Sequence, residues 1–191
     1  VITIGVVPNT GWLADSKIEL DECSHGIVID KGLATSVPDI YAAGDCAVVT
    51  WFDGNRRPEQ LWYTSRDQGR LAGAAMLGDT VTYDRGIFYN SAKFMDVEYT
   101  TTGLVNFDLD GETSWFHEEK GPVSSTTRIV IHDGRVVGFN MLGRRWDHTY
   151  LMRWIEECRN LDYVLAHLNE ARYDPELTPP LAIGDALATA E

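Results

Sequence analysis

The stretch Ala34-Thr-Ser-Val-Pro-Asp-Ile-Tyr-Ala-Ala-Gly-Asp45 constrains the fold more than any other part of the chain. Its apolar core, Ile40-Tyr-Ala-Ala43, is short, follows Pro38-Asp39 and stops at Gly44-Asp45, the pattern of a brief buried strand. A carboxylate just past the C-terminal end of such a strand stands where open α/β sheets bind their ligands. Gly44 permits a close backbone approach, and Asp45 can accept hydrogen bonds from ligand hydroxyls. An isolated Gly-Asp is more often a turn or helix cap, so the surrounding residues have to decide between the two.

Those surroundings read as half of an α/β unit. Val1 to Val7 has the character of a buried strand ended by Pro8-Asn9, and a short helix capped by Asp15 or Ser16 is expected after it. Gly26 to Asp30 reads as a strand and Lys31 to Pro38 as connecting loop. A helix is expected from about Glu59 to Leu77, with Ser65, Gly69, Ala72, Gly73 and Met76 on one face of mostly small side chains. Such a face lets a backbone or a flat ligand come close, while Arg66, Asp67 and Arg70 point to solvent. The chain has no initiator Met and opens inside a strand pattern, so it is expected to be a fragment of a longer protein.

From about Asp84 the pattern changes. Lys93 to Thr101 alternates, with Met95, Val97 and Tyr99 opposite Asp96 and Glu98, which predicts one strand with Thr113 to His117 as its partner. Thr126 to His132 and Arg135 to Leu142 flank Asp133-Gly134, a strong hairpin signal. Two helical stripes follow, Leu151, Trp154, Ile155, Cys158 and then Leu161, Val164, Leu165, Leu168. Strands followed by packed helices make an α+β domain. The expected divisions are 1–84, 85–175 and a tail over 176–191.

Composition narrows the function classes. A net charge of −13 argues against nucleic acid and against docking on anionic lipid, both of which need clustered Lys and Arg. No apolar run is long enough to span a bilayer, so neither nucleic acid nor membrane is an expected partner, and a cytoplasmic location is expected. The three cysteines, Cys23, Cys46 and Cys158, are far apart and form no metal-ligand spacing. Cys46 is expected to be a small buried hydrophobe rather than a redox thiol. His117, His132 and His148 lack ligand-like spacing, and no Asp/Glu pair suggests acid–base chemistry. Trp146, Trp154 and Arg144-Arg145 are expected to pack at a hairpin end.

The dodecamer ending at Asp45 resembles the second FAD fingerprint of the pyridine nucleotide-disulfide oxidoreductase superfamily. Two further anchors support the likeness. Ile4-Gly-Val-Val-Pro-Asn9 resembles the segment where that family's NAD domain returns to its FAD domain. Trp62-Tyr-Thr-Ser-Arg-Asp-Gln-Gly69 resembles the start of the helix after the fingerprint, with Ser65 where Ala is commoner. The resemblance implies that Asp45 binds the ribityl hydroxyls of FAD, beside the close approach that Gly44 permits, and that the amides just after it, at Cys46 and Ala47, approach the pyrophosphate. It also implies that Leu61 and Trp62 border the flavin ring. Asn90 to Tyr99, with Gly134 to Gly138, resembles more loosely the C-terminal domain of NADH oxidase, nitrite reductase and ferredoxin reductase relatives.

The first FAD fingerprint, Gly-x-Gly-x-x-Gly, and a second copy for NAD(P)H are both missing from these residues. The expected architecture is therefore an α/β flavoprotein-reductase fragment with an incomplete FAD-binding domain, followed by an α+β interface-like domain. The parent is expected to pass hydride from NAD(P)H to FAD and electrons to an unnamed acceptor. The fragment is expected to be inactive, with no catalytic residue and no metal, and to hold FAD weakly or not at all. A homodimer through the C-terminal domain is the expected partner. Two alternatives stand beside this reading: a non-catalytic association module over 86–175, and a thiol-linked enzyme such as a coenzyme A disulfide reductase.

Overall fold

A computed structural model describes residues 5–51, 54–121 and 124–183. The chain divides into two compact units, residues 1–86 and 87–191.

The first unit is built on a three-stranded sheet. Strand β1 (Ile27–Val28) runs parallel to β2 (Ala47–Thr50), and β3 (Arg56–Pro58) pairs antiparallel with β2. Helix α1 (Trp62–Met76) follows. Gly26 makes this junction possible, because a Cβ there would lie 2.6 Å from Val48 Cγ2 and 2.9 Å from Pro58 Cγ. The core joins Ile27, Leu33, Ala47 and Val49 of the sheet and its loops to Ala72 of α1. Each of the larger side chains contributes roughly 1.5–3 kcal/mol by leaving water.

Several local expectations give way here. Val1 to Ile4 lie outside the described residues, whereas Gly5–Val7 have no regular structure and Val6 and Val7 are exposed. The helix expected behind an Asp15 or Ser16 cap is a single 3-10 turn, Gly11–Leu13, one residue after Thr10. Its Leu13 fills the core while Asp15 and Ser16 lie past its end.

Ile40 to Ala43 is not a strand either. Asp39 takes φ 62° after Pro38 and turns the chain back on itself. Thr35 N–H then donates to Ile40 O and Ala42 N–H to Leu33 O. These bonds make an isolated bridge between Ala34 and Tyr41 within the fold-back loop instead of a place in the sheet.

The second unit is a five-stranded antiparallel sheet in the order β4-β5-β8-β7-β6. The strands are β4 (Tyr89–Phe94), β5 (Val97–Gly103), β6 (Thr113–Glu119), β7 (Ser125–His132) and β8 (Arg135–Leu142). The Asp133-Gly134 turn has φ of 49° and 71°, as a two-residue hairpin of the primed type needs. The single strand expected over Lys93 to Thr101 is instead a hairpin that turns at Met95-Asp96, with Phe94 opposite Val97. Thr113 to His117 pairs with β7, not with that region.

Gly103 faces Gly138 where β5 leaves β8. A Cβ on Gly138 would sit 2.0 Å from Leu104 O, so the crossing depends on that absent side chain.

Helices α2 (His148–Glu156) and α3 (Leu161–His167) bring Leu151, Trp154 and Val164 to a core with Phe139 and Met141. Asp147 caps α2 by accepting from Thr149 N–H, and Asn160 caps α3 from Tyr163 N–H. Cys158 does not join the stripe predicted for it; it is exposed, with φ 54°, just beyond α2.

Trp146 is buried, and Arg144 is buried in an ion pair with Glu119 while donating to Pro179 O. Of the segment expected as a tail, the described part is fastened down. Asn169 bonds both N–H and C=O of Leu181, which is 3% exposed.

Candidate functional site

The Gly44–Asp45 turn meets the first two turns of α1. Gly44 has φ 82°, a left-handed conformation that costs glycine little. Its buried N–H donates to Gln68 Oε1 at 2.8 Å, and Gln68 Nε2 donates to the Tyr83 hydroxyl at 3.3 Å. Asp45 is exposed, and its Oδ1 accepts from the Ser65 hydroxyl at 2.8 Å. No hydrogen bond reaches Oδ2 among the described residues. Gln60 Nε2 lies 3.4 Å from Asp45 O.

This carboxylate reaches its place by a route different from the one expected. With no strand over Ile40 to Ala43, Asp45 does not cap a strand's C-terminal end. It sits two residues before β2, in a turn closed by Ala47 N–H donating to Gly44 O at 2.9 Å. That bond and the Gln68 contact occupy the amides of both Ala47 and Gly44. Ala47 is fully buried in the core of the first unit, and its N–H is already bonded to Gly44 O. Leu61, half-buried and extended, is the residue before α1, and its apolar side chain makes no cap hydrogen bond to the helix start. A helix start favours negative charge nearby.

Trp62 belongs to neither core. It is 69% exposed, its ring edge-on to Tyr63 with centroids 5.5 Å apart and the Arg66 guanidinium 5.1 Å from its centroid. The half-buried Cys46 thiol is pushed up in pKa by burial, against a backbone hydrogen bond that pulls it down and with a smaller push from the Asp45 carboxylate, which disfavours the nucleophilic thiolate. Of the small face predicted on α1, only Ala72 is buried. The helix turns Thr64, Gln68, Ala72 and Ala75 inward, and Gly69 and Gly73 have nothing within 4 Å of an added Cβ.

A shallow hollow of about 300 Å³ lies at the other end of α1, lined by Gly78, Asp79 and Tyr41 among others, and includes none of the expected cofactor residues. Among the described residues no cluster of His, Cys, Asp or Glu could hold a metal, and no helix is long and apolar enough to cross a membrane.

Ser65 and Gln68 were legible only as part of a motif. Their pairing with Asp45 and Gly44 depends on contacts 20 and 24 residues away. The one local signal was two polar residues a helical turn apart on a face otherwise built of small side chains.

Residues Asp45, Ser65 and Gln68 fall within the stretch 1–69 that matches the sequence model of the family described as Pyridine nucleotide-disulphide oxidoreductase. The chain is 32% identical over 193 residues to a pyridine nucleotide-disulfide oxidoreductase domain-containing protein 1 from Drosophila melanogaster, covering 97% of this chain and 39% of that protein. An NAD-dependent persulfide reductase from A. fulgidus superposes with a TM-score of 0.69 at 19% identity, covering 85% of this chain and 33% of the other. An FAD-dependent pyridine nucleotide-disulphide oxidoreductase from Desulfovibrio vulgaris gives 0.62 at 22% identity, covering 87% and 43%.

The chain thus spans less than half of the length of the relatives it matches. The fingerprint turn, the helix that holds it and the mixed α/β architecture all carry the same signature: the chain belongs to the pyridine nucleotide-disulfide oxidoreductase superfamily.

Proposed function

We propose that these residues supply the second half of the flavin site of an FAD-dependent NAD(P)H oxidoreductase. The observation that carries the reading is the Asp45 carboxylate. It is exposed and fixed through one oxygen by Ser65, with its other oxygen free to accept hydrogen bonds. That geometry fits a ribityl chain, whose hydroxyls are donors matched to a carboxylate whose Oδ2 meets no donor among the described residues.

FAD, when bound, supplies the hydride-accepting chemistry. The residues here bind and orient. Asp45 grips the sugar-alcohol chain, and the start of α1 at Leu61 and Trp62 lends its positive end to negative charge on the reduced cofactor. That last effect is worth about 0.3–2 kcal/mol. Trp62, exposed and outside the core, is available to bound a flat ring. Burial of the Cys46 thiol, with its raised pKa, does not favour a thiol relay at this turn. Without a dinucleotide fingerprint the residues complete no catalytic site by themselves.

The test is flavin content. The full-length protein carrying Asp45→Ala is expected to lose FAD on purification and to rebind it at least tenfold more weakly, about the effect of a charge-assisted hydrogen bond. Stoichiometric FAD in that variant, equal to the parent, would overturn the assignment.

A further inference from the structure

Gln68 is fully buried, and its amide sits where an apolar side chain would fill the same space without a polar group to satisfy. Both ends of the amide are nonetheless used. The acceptor meets Gly44 N–H, which has no backbone partner among the described residues, and the donor meets the hydroxyl of Tyr83, whose own N–H is tied to Lys31 O. One turn earlier, Ser65 occupies a helix-interior position where Ala has the higher propensity. Its hydroxyl is spent on Asp45 Oδ1.

Two hydrogen bonds from one helix face therefore restrain two consecutive residues of the turn, one through the backbone and one through the side chain. A carboxylate bonded to Ser65 gives up rotamer freedom before any ligand arrives, and pre-ordering of this kind reduces the cost of binding. The pair also divides the labour of the carboxylate, Oδ1 to the protein and Oδ2 to the outside.

We propose that Ser65 and Gln68 are positioning residues that form a two-point clamp on the Gly44–Asp45 turn and preset Asp45 for a polyhydroxyl ligand, the ribityl chain of a flavin. The clamp rests on the reading of Asp45 given above. Ser65 acts on the ligand only through Asp45, and Gln68 only through the backbone on which Asp45 is carried.

The experiment is a thermodynamic cycle on the full-length protein stripped of flavin, with FAD titrated by fluorescence quenching and apo-protein unfolding recorded alongside. Ser65→Ala is expected to weaken FAD binding by about three- to tenfold, the range for releasing one ordered side chain. The apo-protein's melting temperature should be unchanged. In the Asp45→Ala background the same substitution should have no further effect, a result that a merely structural role for Ser65 would not give. Gln68→Met, which refills the core but offers Gly44 no acceptor, is the second variant and should weaken FAD binding at least as much.

An equal loss from Ser65→Ala in both backgrounds overturns the clamp. Wild-type affinity in both Ser65→Ala and Gln68→Met, with Asp45→Ala still impaired, overturns the clamp and leaves the flavin reading standing. Wild-type affinity in Asp45→Ala removes both.

Discussion

Glu59 and Arg85 form an ion pair in which each side chain is 2% exposed. Arg85 also lies 5.2 Å from the centroid of Trp51, whose ring Arg57 covers at 3.9 Å. Two guanidinium groups thus share one indole, with the Glu59 carboxylate as the buried countercharge. Glu59→Ala takes away that carboxylate and leaves a cavity beside the buried Arg85 guanidinium. Removing one partner of a buried pair costs about 3–5 kcal/mol. Asp67→Ala, at the exposed Arg66–Asp67 pair with side chains 53% and 43% exposed, should cost no more than about 1 kcal/mol.

Urea melts of the two variants separate these cases, because equal slopes with a displaced midpoint report stability alone. A Glu59→Ala variant within about 1 kcal/mol of its parent would refute the reasoning. It would mean that the pair's mutual attraction does no more than cancel the cost of burying it.

Three further outcomes follow from particular contacts. His148, hydrogen-bonded to Thr102 at 2.8 Å, is held down to about pKa 4 by burial against a weaker opposing pull from Asp147. Its folded value lies below the ordinary 6.5, so the unfolded chain takes up the proton first as pH falls. Its contribution is complete above about pH 6.5 and lost toward pH 4, on the order of 3 kcal/mol. His148→Asn should flatten the stability–pH curve over that window, and an unchanged slope counts against it. Gly138→Ala should destabilise the second unit by about 1–3 kcal/mol or more, since its Cβ would overlap Leu104 O; an unaltered melting temperature would contradict the packing. Trp62→Ala should cost little stability yet change the flavin absorption spectrum of the full-length protein, and an identical spectrum would remove Trp62 from the site.

What the sequence disclosed was governed by local chemistry. Asp133-Gly134 announced its hairpin because the turn's positive φ values are written in those two residue types. The stripes of α2 and α3 were visible because 3.6-residue periodicity needs no distant partner. The β4–β5 turn escaped notice because Met95-Asp96 carries no turn signal and the alternation runs straight through it. Met95 nonetheless takes φ 55°, and Phe94 pairs with Val97. Thr113 to His117 was given the wrong neighbour because strand order depends on β8 and β7 lying between β5 and β6, which no local pattern encodes.

At the site, the motif singled out Asp45, but the setting of its carboxylate was not legible. The apolar run before it mimicked a strand, while Pro38 and Asp39 turned that run into a fold-back loop. The hydroxyl of Ser65 looked like a neutral replacement for a methyl group until the chain brought Asp45 against it.

The account stands on the Asp45 side chain reaching a flavin. A crystal structure of the full-length protein with FAD bound tests this most directly. The account predicts Asp45 Oδ2 within about 3 Å of a ribityl hydroxyl, with Oδ1 still on Ser65. A ribityl chain contacted by other groups, with Asp45 facing only water, would contradict it.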